Sequence, residues 1–119
     1  MPIQLIPLPI LPDPFLKLGP GRIVVFSGSP VFTVEDRITP ECGEVIAERR
    51  FTAIRMKQTG DTLAISTDAK QINLTRDQAM RTGFMAIVLD TGIVVVWQSI
   101  TADIKAKLTT PDDELVVGW

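Results

Sequence analysis

Two apolar arms separated by a short reversal dominate the hydropathy pattern: Phe84-Met85-Ala86-Ile87-Val88-Leu89, then Asp90-Thr91-Gly92, then Ile93-Val94-Val95-Val96-Trp97. β-Branched residues fill both arms, and Gly92 can take the positive φ that a short bulged hairpin loop requires. The stretch therefore predicts a central hairpin. Because its arms are apolar at consecutive positions, both faces must be covered by other chain or by a partner.

The remaining elements follow from local pattern. Arg22 to Phe26 reads as a strand, Ser27-Gly28-Ser29-Pro30 as a reversal, and Val31 to Val34 as a second strand that closes a hairpin on the first. Thr39-Pro40-Glu41 has the form of a helix start, with a capping Thr, Pro at the first helical position and an acid in the first turn. A short helix to about Arg50 is expected, with Cys42, Val45, Ile46 and the stem of Arg49 on one side. Ile54 and Met56 alternate with Arg55 and Lys57, Thr59-Gly60-Asp61-Thr62 supplies turn chemistry, and Leu63 and Ile65 resume beyond it, which predicts a half-buried hairpin.

Thr75-Arg76-Asp77-Gln78 matches a capping box, so Arg76 to Thr82 is predicted as a helix. Gly83 is then expected as its left-handed terminator, with Phe84 packing back on Ala79. After Trp97 the pattern supports two elements. Ile100, Ala102, Ile104, Ala106 and Leu108 alternate with polar residues, while Ile100, Ile104 and Leu108 also fit one helix face, with Thr101 as a cap and Asp103 and Lys107 as an i,i+4 pair. The strand accounts for more positions and is the expectation taken forward.

Both ends are apolar. Met1 to Pro20 carries Pro2, Pro7, Pro9, Pro12, Pro14 and Pro20 between large aliphatic residues. Prolines at this density forbid a helix and interrupt a ladder, which predicts an extended arm. The arm lacks the basic start and small-residue cleavage site of a signal peptide. It is too rich in Leu and Ile for ordinary disorder, so it needs a surface, either its own domain or, as taken here, a neighbouring subunit. Leu115-Val116-Val117-Gly118-Trp119 forms a second apolar end. The expected layout is an arm at 1–20, a compact β-rich domain at 21–110 and a tail at 111–119. In class this is α+β, predominantly β: a small antiparallel sheet or partly open barrel of about 6–7 strands with one or two short helices.

Composition narrows the function. A chain of 119 residues makes one domain, and its 12 basic and 14 acidic residues are interspersed, so no field that would gather nucleic acid is expected. No apolar run reaches the roughly 18 residues a spanning helix needs. The chain has no His, which removes the commonest general base and most transition-metal sites, and its single Cys42 excludes an internal disulfide.

The chemical candidates are weak. Cys42 near a helix start could be activated, but Glu41 and Glu44 flank it, and burial is the better reading. Asp112-Asp113-Glu114 lacks the spaced ligands and Gly of a calcium loop and reads as a solvated turn. Arg49, Arg50, Arg55 and Lys57 form the densest basic patch, with no phosphate loop or interleaved aromatics, and read as an outer face. Trp97 is assigned to the core edge and Trp119 to an interface.

No cofactor, metal or catalytic set is therefore expected. The leading expectation is a viral structural subunit, with bacteriophage as the favoured source, such as a head-decoration, neck or tail and baseplate protein, located in the virion or otherwise in the cytoplasm. Its partners would be copies of itself and other proteins of the same assembly, without nucleic acid or membrane. The anchors would be Leu5, Ile6, Leu8, Ile10, Leu11 and Phe15 in the arm, and Val116, Val117 and Trp119 in the tail. The alternative is a bacterial non-catalytic binding module that uses a sheet edge or the Arg55 and Lys57 face. An enzyme using Cys42 or carboxylates is the third reading.

Overall fold

The computed structural model describes residues 4–5, 15–59, 62–67 and 71–118, with the backbone alone at 4–5, 15–18, 56–59, 62–64 and 66–67. The chain is mostly β. Ten short strands form three antiparallel sheets among the described residues, in place of one sheet or barrel of six or seven. The predicted central hairpin forms as β8 (Phe84–Leu89) and β9 (Val94–Ser99). Gly92 at φ 92° donates to Leu89 O, and the register shifts by one residue between Ile87 and Val88, so the expected positive φ and bulge are both present.

The largest sheet runs β1 (Gln4–Leu5), β9, β8, β3 (Gly21–Phe26), β4 (Val45–Phe51). β3 thus lies between two antiparallel partners and every one of its residues except Arg22 is buried. Alternation then sorts the apolar side chains into two cores. Ile23, Val25, Met85, Ile87, Val95 and Val96 face one cluster with Phe51, Ile54, Ile72, Leu74, Ala79, Ile100, Leu108 and Val117. Val24, Phe26, Phe84, Ala86, Val88 and Val94 face the other with Cys42, Phe32 and Trp97. Both faces are covered, as consecutive apolar positions required.

The covers differ in kind. The first face is covered by β5 (Ile54–Thr59), β6 (Thr62–Thr67), β7 (Ile72–Thr75), the helix α1 (Arg76–Arg81), the short helix α2 (Ala102–Lys105) and β10 (Glu114–Val117). Ile54, Ile72, Leu74, Ala79 and Val117 come from β5, β7, α1 and β10, Ile100 and Leu108 flank α2, and Ile65 of β6 and Ile104 of α2 pack against them half-buried. The second face takes Phe32 and Cys42 from the loop at 27–44. Phe32 is the plug: its ring meets Phe84 edge-on at 5.9 Å and Trp97 at 6.4 Å, while Phe26 stacks on Phe84 at 4.9 Å.

Glycines seat this loop. A Cβ on Gly83 would overlap Gly28 O, and a Cβ on Gly28 would overlap Glu41 O. Three backbone passes therefore cross within van der Waals reach, joined by hydrogen bonds from Gly83 N to Phe26 O and from Gly28 N to Cys42 O, each 2.8 Å.

The structure corrects several expectations. Val31 to Val34 is not a strand on β3, whose partners are β4 and β8. Thr33 Oγ1 accepts from the backbone N–H groups of Glu35 and Arg37, which folds the segment into a local turn and leaves only the bridge Phe32–Ile38. The expected helix from Thr39 to Arg50 stops after one 3₁₀ turn, Pro40–Cys42, and the chain continues as β4. Gly43 at φ 81° cannot propagate a right-handed helix, and the β3 ladder offers Val45 and Ile46 a better set of hydrogen bonds. Cys42 and Ile46 accordingly pack in different cores.

The capping box at Thr75 forms in both directions, with Gln78 N donating to Thr75 Oγ1 at 3.2 Å and Thr75 N to Gln78 Oε1 at 3.0 Å. Gly83, however, is not left-handed. Its role is the close approach to Gly28, while Thr82 ends the helix in an extended conformation. Phe84 does not pack on Ala79, which lies in the other core.

The segment after Trp97 is helical at α2 rather than a strand. Ile100 and Leu108 are buried and Ile104 is half-buried, whereas Ala102 and Ala106 are exposed. The large side chains, spaced by four, set the element over the alanines that completed the alternation. Lys105 Nζ donates to Thr82 O at the end of α1, and Arg76 Nε donates to Leu108 O at 3.0 Å, which ties the two helices together.

The predicted hairpin at 54–65 forms as β5 paired with β6, with its turn residues Gly60 and Asp61 outside the described set. The stretch at 111–119 is not a free tail as far as Val117: β10 pairs along its length with β7. The described parts of the N-terminal arm are strands as well. β1 pairs with β9, and β2 (Phe15–Leu18) pairs with β5, both within the same chain.

Candidate interaction surfaces

Cys42, the sole cysteine, is a free and fully buried thiol whose Sγ donates to Val31 O at 3.3 Å. It belongs to the core under the loop, which is the burial reading. The acidic triplet is a turn. Asp113 Oδ2 accepts from Thr109 N at 2.8 Å and Thr110 N at 2.9 Å, and these donors, Thr110 first, hold its carboxyl below the usual aspartate range. Glu114 Oε2 faces Asn73 Nδ2 at 3.5 Å. No group of three or more metal-ligating side chains occurs among the described residues.

The basic residues do not converge into one site. Arg49 and Arg50 lie next to each other on β4 and so point to opposite faces. Arg50 pairs with Asp90 at 3.0 Å and Arg22 with Glu48 at 2.8 Å, so two guanidinium groups on the second face are already neutralised. Arg55 is exposed on β5, and the side chain of Lys57 lies outside the described residues.

The expected anchors divide three ways. Ile6, Leu8, Ile10, Leu11 and Trp119 lie outside the described residues. Leu5 and Phe15, assigned to a neighbour, are paired through their backbones at home, opposite Val96 and Lys57. Val117 is buried in the chain's own core because period two turns it inward from β10, which leaves Val116, half exposed, as the outward position.

Several exposed apolar side chains escaped sequence reasoning. Val34 is 99% exposed at the tip of the Thr33 turn, Ile38 and Ile93 are exposed beside it, and Val31 and Val45 are exposed elsewhere on the loop and on β4. The tip is well held: Arg37 Nη1 donates to Thr91 O at 2.8 Å, and Val94 N donates to Asp36 O at 2.8 Å. Only the turn-forming Thr33 hinted at this, and the expected strand hid it. β4 and β10 each end the sheet order on one side, so each has one unpaired edge among the described residues. Glu48, Arg49 and Arg50 place charge along the β4 edge, a common protection against unwanted pairing.

Gln98 was also missed. The residue is 6% exposed, lies on the first face opposite Met85, and no hydrogen-bond partner reaches its amide among the described residues. It borders a cavity of about 140 Å³ that is partly open to the surface and is lined also by Met85, Ile100, Ile104 and Leu115 through Gly118. Its one sequence signal is position: a large amide directly following a run of buried valines and Trp97.

Compared with protein-family models, with curated proteins and with solved structures, the chain gives no match. No helix among the described residues is long and apolar enough to cross a membrane.

Proposed function

We propose that this chain is a structural subunit that assembles with copies of itself and with other proteins of one particle, of the kind that build bacteriophage heads, necks, tails or baseplates. The observation that carries the reading is the manner in which the apolar, proline-rich arm attaches. Two separated pieces of it, Gln4–Leu5 and Phe15–Leu18, each enter as an edge strand, and they enter different sheets. An edge strand is a transferable attachment: the same ladder forms with the same edge of an identical neighbour, as in strand and domain exchange. Exposed Val34, Val45 and Val116, on a held loop and two open strands, add contact area that a particle interior would cover.

The test is the solution mass of the intact chain across a concentration series, repeated with Leu8→Asp and Ile10→Asp together in the arm. Concentration-dependent oligomers that the double variant weakens at least tenfold are expected. A monomer at every concentration overturns the reading.

A second reading, a binding module that takes an extended peptide on a sheet edge, draws on the unpaired outer edge of β4. It predicts peptide capture by a chain that stays monomeric. Replacing Ala47 by Pro, which removes a backbone N–H and distorts that edge, abolishes capture under this reading.

A further inference from the structure

A buried amide without a partner is costly, of the order of 1–3 kcal/mol, so native chains rarely keep one unless something else supplies the hydrogen bond. Gln98 is such a group. Both neighbours in its strand fall on the other side: Trp97 in the second core and Ser99 at the strand end. Its own side chain borders the cavity at Met85, where every other lining side chain is aliphatic or a thioether. The site thus combines apolar side chains with one side-chain hydrogen-bonding group, beside the backbone of its lining residues, a composition usual in a small-ligand pocket.

The volume sets the size of the occupant. Apolar cavities of about 150 Å³ take up a benzene ring, and the present one, at about 140 Å³, is open on one side, so a slightly larger ring can protrude. Water alone would satisfy the amide but would leave the wall of Ile100, Ile104 and Leu115 wet. A saturated chain without a polar group would cover that wall and leave the amide unpaired, and a long one would exceed a volume of about 140 Å³. A flat ring that carries one hydrogen-bonding group meets both conditions.

We infer that the cavity between β9, α2 and β10 is a binding site for a single aromatic ring system with a hydrogen-bonding group, held by the Gln98 amide against Met85, Ile104 and Leu115. The ring is a free small molecule or the indole of Trp119, which follows the wall residue Gly118 and lies outside the described residues. The two sources present the same chemistry.

The experiment follows the methyl resonances of Ile104, Leu115 and Val117 during titration of the full chain with indole, and with toluene as a ring lacking the polar group. The full chain, Trp119→Ala and Gln98→Met are compared. Saturable indole-induced shifts in the full chain and in Trp119→Ala alike assign the site to a free ligand. Shifts in Trp119→Ala alone assign it to the Trp119 indole. In whichever chain binds, Gln98→Met is expected to weaken indole about tenfold and to leave toluene unchanged, so the amide's part is read even if overall stability moves. Absence of saturable shifts in both the full chain and Trp119→Ala overturns the proposal, as does an indole affinity that Gln98→Met leaves intact.

Discussion

Phe84→Ala is the sharpest test of how the central sheet is covered. Phe84 is fully buried and is the ring on which Phe26, Phe32 and Trp97 converge, at 4.9, 5.9 and 6.4 Å. Truncating a buried Phe to Ala costs about 3–5 kcal/mol through lost transfer energy and the cavity left behind. At about 2.1 cal/mol/K per residue, 119 residues give an unfolding entropy near 0.25 kcal/mol/K, so the Tm should fall by about 12–20 °C. Urea unfolding followed by far-UV circular dichroism should show a lower midpoint at an unchanged slope.

The informative measurement is the double-mutant cycle with Phe32→Ala. Phe32 belongs to the loop and Phe84 to the sheet, so their coupling reports whether the loop is seated on that face. An edge-on pair of this geometry is worth about 0.5–1.5 kcal/mol beyond area burial. A coupling within about 0.3 kcal/mol of zero, or a Phe84→Ala cost below about 1.5 kcal/mol, would refute the argument that Phe32 closes the second core.

Three further outcomes follow from single contacts. Thr75→Ala removes both the cap acceptor and its reciprocal geometry and should lower stability by about 1 kcal/mol in chemical denaturation. Gly83→Ala forces a methyl group into the Gly28 carbonyl, backbone against backbone, and should cost about 1–3 kcal/mol, with Phe26–Gly83 amide exchange accelerated; a neutral result would mean the crossing is looser than described. Asp113 has a depressed folded pKa, so its contribution is present above its ordinary value of 3.8 and is lost as pH falls through the folded value. The stability difference between the wild type and Asp113→Ala should therefore shrink on acidification, and a difference independent of pH would show that the carboxylate charge is not what closes the turn at 109–113.

Elements whose signals were local were legible in the chain itself. The β8–β9 hairpin, its bulge and Gly92 follow from β-branched arms and one residue able to take positive φ, and the Thr75 box depends on four consecutive residues. The β5–β6 pairing is likewise a matter of alternation around a turn. The burial of Cys42 and the core-edge position of Trp97 follow from residue type and from an apolar run. Which apolar side chains stay exposed was not legible, because exposure is decided by what happens to lie on top.

Where long-range partners competed with local propensity, tertiary structure decided. Thr39-Pro40-Glu41 is a sound helix start, yet β3 needed a second neighbour and drew 45–51 into a ladder that no local rule could foresee. Ile100 to Leu108 satisfied two periods at once, and the choice fell to which of its side chains a core could accept. Gly83 carried the mark of a helix terminator, but its lack of a Cβ is used against Gly28, 55 positions away in sequence. The same holds for Gln98, which reads as an ordinary polar residue until β10 and α2 close over it. Sequence by itself determined which segments prefer to be extended, turned or capped; only the packing of distant segments determined which faces are dry, which edges are open and which amide lacks a partner, because those are properties of contacts between residues far apart in the chain.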